Sequence, residues 1–346
     1  MKAVQYREIG ASPVVVDVPT PEPGPGQVLL KVTASGLCHS DIFVMDLPEE
    51  QYIYGLPLTL GHEGVGTVVA LGPGATGVEE GQNVAVYGPW GCGTCATCAA
   101  GMENYCPRAA DLGIAPPGLG NPGSMAEYMI VDSPRHLVPI GDLDPVTTAP
   151  LTDAGLTPYH AIKRFLPKLG AGSTAVVIGV GGLGHVAIQI LRALSGAQVI
   201  GLDVNQAKLD LATAVGADHA FLSDASAVDA VKDLTDGRGA ELVIDCAGFQ
   251  PTIDLAQQMV AVGGGLSIVG IGAGGAYAKV GFFMTPYEAE TLVPYWGYRQ
   301  ELFEVIELAK RGVFDIHTET FGIDEAPQAY ARLREGTLEG RAVVVP

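Results

Sequence analysis

Positive charge is scarce in this sequence. Lys and Arg total 19 against 38 Asp and Glu, the formal net charge is -19 at pH 7, and no basic cluster offers a local exception. Nucleic acid phosphates and anionic lipid would be repelled, so neither is expected as a partner. A secretory start is also missing, because MKAVQYREIG runs almost directly into strand-like alternation, and a cytoplasmic location is the expectation. No apolar run suits a membrane span: the nearest, 175–191, contains Gly179, Gly181, Gly182 and Gly184 together with His185 and Gln189. Cysteines number only six, four of them crowded between Cys92 and Cys106, which excludes a disulfide scaffold and favours a metal. Charged residues make up 16% and hydrophobic ones 48%, a balance that excludes disorder.

At 346 residues the chain suits two domains better than one. The first 150 residues are rich in Gly, Pro and β-branched residues, with strand-like runs at Val14–Val18, Val28–Thr33 and Gly64–Ala70. Beyond Pro150, strand-like runs alternate with helix-length ones, a βαβ pattern. Strands are expected at Thr174–Ile178, Gln198–Asp203, His219–Leu222, Glu241–Asp245, Gly265–Gly270 and, as a sixth, Ala278–Met284. The expected division is a catalytic domain of residues 1–153 and 291–346, and a doubly wound dinucleotide domain of residues 154–290. The tail Ala342–Val345 would return to the first domain as a strand.

Gly179-Val180-Gly181-Gly182-Leu183-Gly184 places glycines at the first, third and sixth positions between an apolar strand and a helix. The first permits a tight turn, the second lets backbone approach a pyrophosphate, and the third lets helix pack on strand. In a chain with 47 glycines such a pattern is weak alone. Asp203 strengthens it: the residue ends the next strand, where a carboxylate accepts hydrogen bonds from ribose hydroxyls and repels a 2′-phosphate. NAD is therefore expected rather than NADP.

Cys92, Cys95, Cys98 and Cys106 offer four thiolates from one loop, enough to saturate a tetrahedral zinc and leave no open position. That makes the site structural. An iron–sulfur cluster needs the same number of ligands and stays as the alternative, although its usual spacings differ. Two further segments, GLCHSD at 36–41 and GHEGVG at 61–66, together supply a thiolate, an imidazole and a carboxylate. Catalytic zinc requires about three such protein ligands.

These segments, with LTDAGLTPYHA at 151–161, resemble the zinc-containing medium-chain alcohol dehydrogenases over essentially the whole length, and most closely the bacterial secondary alcohol type. The resemblance implies an α/β fold with a β-rich GroES-like catalytic domain and a Rossmann domain. It also implies two zinc ions per chain, one catalytic and one structural. Cys38, His62 and Asp153 would bind the catalytic zinc, the aspartate standing where relatives carry a second cysteine, with Glu63 as an alternative ligand. Asp41 would orient a ligand histidine. Ser40 would take the alcohol proton, although Phe43 stands where many relatives continue the relay with a histidine. His39, Lys208 and Arg341 would contact the cofactor. Phe43, Tyr54, Leu119, Ile271, Phe283 and Trp296 would form an apolar pocket that excludes polyols by leaving their hydroxyls unpaired.

The implied activity is oxidation of small apolar alcohols, chiefly secondary, by hydride transfer to nicotinamide C4, and the reverse. Zinc can lower the pKa of water from about 15.7 to about 7, roughly 12 kcal/mol, whereas a general base contributes roughly 3 to 5 kcal/mol, so the metal should dominate. A polyol dehydrogenase with the same cofactors is one rival, and a non-enzymatic NAD-binding protein that has kept the fold is another. The expected assembly is a homodimer or homotetramer pairing through 278–284.

Overall fold

The structure is a computed structural model that describes residues 1–282, 284–338 and 340–346. The expected pocket residue Phe283 lies outside the described residues. The chain divides into two compact units, one of residues 1–153, 298–312 and 316–346, the other of residues 154–297 and 313–315. Among the described residues no helix is long and apolar enough to cross a membrane.

The first unit is built on a seven-stranded sheet. Its path runs Thr318–Gly322, Arg341–Val345, Val28–Gly36, Glu63–Leu71, Asn83–Val86 and Leu137–Pro139, and Tyr128–Val131 also pairs with Val28–Gly36. Val28–Gly36 is central and buried along almost its whole length, which its run of apolar and small residues allows. The tail strand joins it antiparallel through Val343 and Val344, while pairing in parallel with Thr318–Gly322. A separate three-stranded sheet orders Val14–Asp17, Lys2–Tyr6 and Leu58–Thr59.

The second unit is a six-stranded parallel sheet in the order His219–Leu222, Gln198–Asp203, Thr174–Ile178, Ala240–Asp245, Val260–Ile268 and Glu290–Leu292. Thr174–Ile178 is buried at every position, as a strand covered on both faces must be, and each such Val or Ile contributes about 1.5 to 3 kcal/mol. The helix Gly184–Leu194 packs beside it, burying Val186, Ala187, Ile188, Ile190 and Leu191. The sixth strand departs from expectation. The described residues of 278–284 form no strand, and the edge of Val260–Ile268 is taken by Glu290–Leu292 instead.

Candidate functional site

Two groups of metal-ligating side chains occur among the described residues, both in the first unit. In one, Cys38, His62, Glu63 and Asp153 each present a ligand atom within 4.8 Å of the others. Cys38 immediately precedes the helix His39–Met45, His62 and Glu63 sit where Glu63–Leu71 begins, and Asp153 follows the short turn Ala149–Thr152. Cys38 Sγ is 3.5 Å from Asp153 Oδ2, and His62 Nε2 is 3.6 Å from the same oxygen. A tetrahedral zinc with ordinary bond lengths separates sulfur from oxygen by about 3.5 Å and nitrogen from oxygen by about 3.3 Å, so the donor set fits the ion.

Behind these ligands stands Asp41, wholly buried. Its Oδ1 is 3.1 Å from His62 Nδ1, while Oδ2 accepts from the Cys38 N–H at 3.2 Å and from the Tyr330 hydroxyl at 3.1 Å. With Nδ1 turned to Asp41, Nε2 of His62 faces the other candidate ligands, and on losing its proton it would offer them a lone pair for a shared metal. Burial opposes charge on this ring, but Asp41 and Asp153 outweigh it and hold the His62 pKa well above its ordinary value. Arg341 is buried on the tail strand and bonds Glu63. Burial nonetheless pushes the Glu63 carboxyl up to about 7 against that pull. Its second oxygen, Oε2, is buried with no hydrogen-bond partner among the described residues. Ser40 lies beside the ligands, its Oγ 3.6 Å from Cys38 Sγ. His39 is exposed on the same helix.

The second group is the four-cysteine loop, in which all cysteines are free thiols. Sulfur separations are 3.9 Å for Cys92 and Cys98, 3.5 Å for Cys95 and Cys98, and 3.9 Å for Cys95 and Cys106. Tetrahedral zinc places sulfurs about 3.8 Å apart. Backbone N–H groups of Cys95, Cys98 and Cys92 point at Cys92, Cys95 and Cys106 sulfurs at 3.3 to 3.5 Å, partial positive charge placed to favour thiolates. Hydrogen bonds from Thr94 pull the Cys92 thiol down to about 5, whereas burial pushes Cys98 up to about 12.

In the second unit the glycine loop makes its turn at Gly179, with φ at +85°. A Cβ on Gly184 would lie 2.0 Å from the Gly179 carbonyl oxygen, so only glycine lets this helix start so near the strand. Gly181 faces open space, and Gly182 and Leu183 complete the turn into the helix. Asp203 is pinned by two backbone donors, Val180 N–H to Oδ2 at 2.8 Å and Asn205 N–H to Oδ1 at 3.0 Å. Lys208 sits half-buried near the start of the following helix, Gln206–Ala214.

The apolar residues expected around the substrate differ in setting. Phe43 is 47% exposed, while Tyr54 and Leu119 are partly buried against the core of the first unit. In the second unit Ile271 is 50% exposed, but Trp296 is buried, with φ at +52° and its ring edge-on to Tyr295. Sequence reasoning missed Tyr330, 289 residues from its partner Asp41, for which no local signal exists.

Comparison with known proteins agrees with this architecture. Residues 24–142 match the alcohol dehydrogenase GroES-like domain family, and residues 182–311 match the zinc-binding dehydrogenase family. A D-arabinose 1-dehydrogenase (NADP(+)) of Saccharolobus solfataricus is 33% identical over 100% of this chain and 97% of its own length. An NAD-dependent alcohol dehydrogenase of Sulfurisphaera tokodaii is 35% identical over 100% of both chains. The crystal structure of the alcohol dehydrogenase from the hyperthermophilic archaeon Aeropyrum pernix superposes with a TM-score of 0.90 at 33% identity, covering 100% of both chains. With this fold, these two donor clusters and relatives of this extent, the chain belongs to the zinc-containing medium-chain alcohol dehydrogenase family and is an oxidoreductase.

Proposed function

We propose that the chain is an NAD-linked alcohol dehydrogenase acting on small apolar alcohols, chiefly secondary ones, with one catalytic and one structural zinc. The observation that carries this reading is the spacing of Cys38, His62 and Asp153, which matches zinc and leaves a coordination position open. Zinc supplies a Lewis acid that eases loss of the alcohol proton, and oxidised nicotinamide supplies the hydride acceptor. The chain's own groups do the rest. Asp41 fixes the His62 tautomer, Ser40 receives the proton, and Glu63, held by Arg341, is a reserve ligand. Gly181 to Gly184 give backbone to the pyrophosphate and Asp203 binds the adenosine ribose, with His39, Lys208 and Arg341 as further cofactor contacts. Phe43, Tyr54 and Leu119 meet the carbon skeleton of the substrate.

Two points go beyond what the relatives share, since one acts on a sugar and is named for NADP. The carboxylate of Asp203 opposes a 2′-phosphate, and exposed Val204 beside it brings no compensating positive charge, which supports NAD. An apolar set of contacts supports simple alcohols over polyols. NADH formation should be faster with 2-butanol than with sorbitol, vanish when a chelator removes zinc, and return when zinc is restored. Faster oxidation of sorbitol, or inactivity at full zinc loading, would overturn the reading. Replacing Ser40 by Ala should lower kcat by about 10²- to 10⁴-fold while the zinc content stays as in the wild type. Unchanged turnover would remove Ser40 from the proton path.

We also infer work in the cytoplasm, where the four closely spaced cysteines would stay reduced and free to hold a metal. We further infer a homodimer or homotetramer. Tyr277 is 74% exposed, Val280 97%, Phe282 89% and Met284 62%, a run of apolar surface that a lone chain would leave in water. Sedimentation at micromolar concentration should give at least a dimer, and a monomer would refute the inference.

A further inference from the structure

Glu103 lies inside the four-cysteine loop, three residues before Cys106, and is only 7% exposed. A single oxygen, Oε2, gathers three donors: the Gly91 N–H at 3.3 Å, Arg135 Nε at 3.2 Å and His136 Nε2 at 3.1 Å. Arg135 also donates to the Gly91 carbonyl. Both backbone groups of the residue ahead of Cys92 are therefore tied to one ion pair. His136 is fixed in turn, its Nδ1 2.6 Å from Asp132 Oδ1 and its ring stacked on Trp90 with centroids 5.3 Å apart and planes within 6°. None of these contacts involves a sulfur.

We propose that Glu103, with Arg135, is a positioning residue: a latch that holds the two ends of the loop together independently of metal and sets how long zinc stays among Cys92, Cys95, Cys98 and Cys106. The proposal rests on the reading of that loop as a zinc site. Release requires a sulfur to leave the ion and the loop to spread before the sulfur returns. Cys92 and Cys106 stand at the loop's two ends, with the Cys92 N–H 3.4 Å from Cys106 Sγ. The latch joins positions 91 and 103, so while it holds, these ends cannot part and the freed sulfur stays at high local concentration. Hydrogen bonds to a buried carboxylate are among the stronger ones, and a neutral amide in its place takes this counter-charge away from Arg135.

The test follows zinc release from the holoenzyme into a chelator that reports bound zinc by colour. Wild type should release its two ions in separate phases, and Cys106→Ser should remove the phase belonging to the loop. Glu103→Gln should speed that phase at least about tenfold and leave the other unchanged. Arg135→Met, at a side chain 35% exposed and so safe for folding, should speed it too, by less. Wild-type release from both variants, or equal acceleration of both phases, would overturn the latch. If Cys106→Ser leaves the zinc count and both phases intact, the zinc reading of the loop fails first and the latch falls with it.

Discussion

Replacing Cys38 by Ser should lower the zinc content from two ions per chain to one and reduce kcat/KM for a secondary alcohol at least about 10³-fold. The thiolate is one of three donors around a single position, 3.5 Å from Asp153, and a serine hydroxyl is a far weaker zinc ligand at neutral pH. If zinc supplies most of roughly 12 kcal/mol of proton-loss stabilisation, losing even a third of it costs about 4 kcal/mol, or roughly 10³ in rate. Metal analysis beside steady-state kinetics decides the matter. The four-cysteine loop draws on separate residues, so the remaining ion should stay. Two ions and full activity in the variant would exclude Cys38 as a ligand.

The second large effect belongs to Asp203. Changing it to Ala should lower kcat/KM with NAD by about 10² and narrow the preference over NADP, because two charge-assisted hydrogen bonds to ribose are lost together with the repulsion of a 2′-phosphate. Asp203 also receives the N–H groups of Val180 and Asn205, so part of the loss would reflect a loosened glycine loop. Asp203→Asn removes the charge yet keeps one acceptor oxygen, enough for one of these two backbone N–H groups, so it loosens the loop less than alanine does. With that variant the ratio of NADP to NAD efficiency should rise while thermal stability falls less than in Asp203→Ala. A ratio unchanged in both variants would remove Asp203 from cofactor selection.

Local pattern was enough for most of the parallel sheet. Thr174–Ile178, Gln198–Asp203 and His219–Leu222 form where they were expected, the first two because a strand covered on both faces has few other sequences open to it. The fifth strand, expected at Gly265–Gly270, is Val260–Ile268, beginning five residues earlier and running through Gly263, Gly264 and Gly265. In the folded unit Gly265 makes room for Phe165, whose ring would lie 2.1 Å from any Cβ there. That need is set by a residue 100 positions away in sequence and leaves no local trace. Ala278–Met284 misled in the other direction: its alternation suits a strand, but within one chain the neighbouring edge is already paired with Glu290–Leu292.

At the donor clusters the same division holds. Four cysteines on one loop announce themselves by spacing. Asp41 was expected to orient a histidine and does meet His62, but Tyr330 reaches it from 289 residues away with no motif to announce it. Arg341 was expected at a cofactor phosphate, and the structure adds a partner no motif indicated, Glu63. The buried Glu103 was invisible for a different reason. A glutamate between two cysteines looks like a solvated loop residue until His136 and Arg135 are brought beneath it.

The order of synthesis follows from how the first unit is threaded. All but three residues of the second unit lie between 154 and 297, so everything that unit needs except that short segment is made in one continuous stretch. The first unit must wait. Its expected ligand Cys38 and the aspartate behind it emerge early, yet Tyr330 is 289 residues from Asp41, and Arg341 is 278 residues from Glu63. On the ribosome the pocket around the expected zinc therefore stays open while the entire dinucleotide unit passes, and it closes only when the tail strand arrives. A nascent chain has its thiols and carboxylates in reach of metal long before it has the arginine and tyrosine that hold them in place.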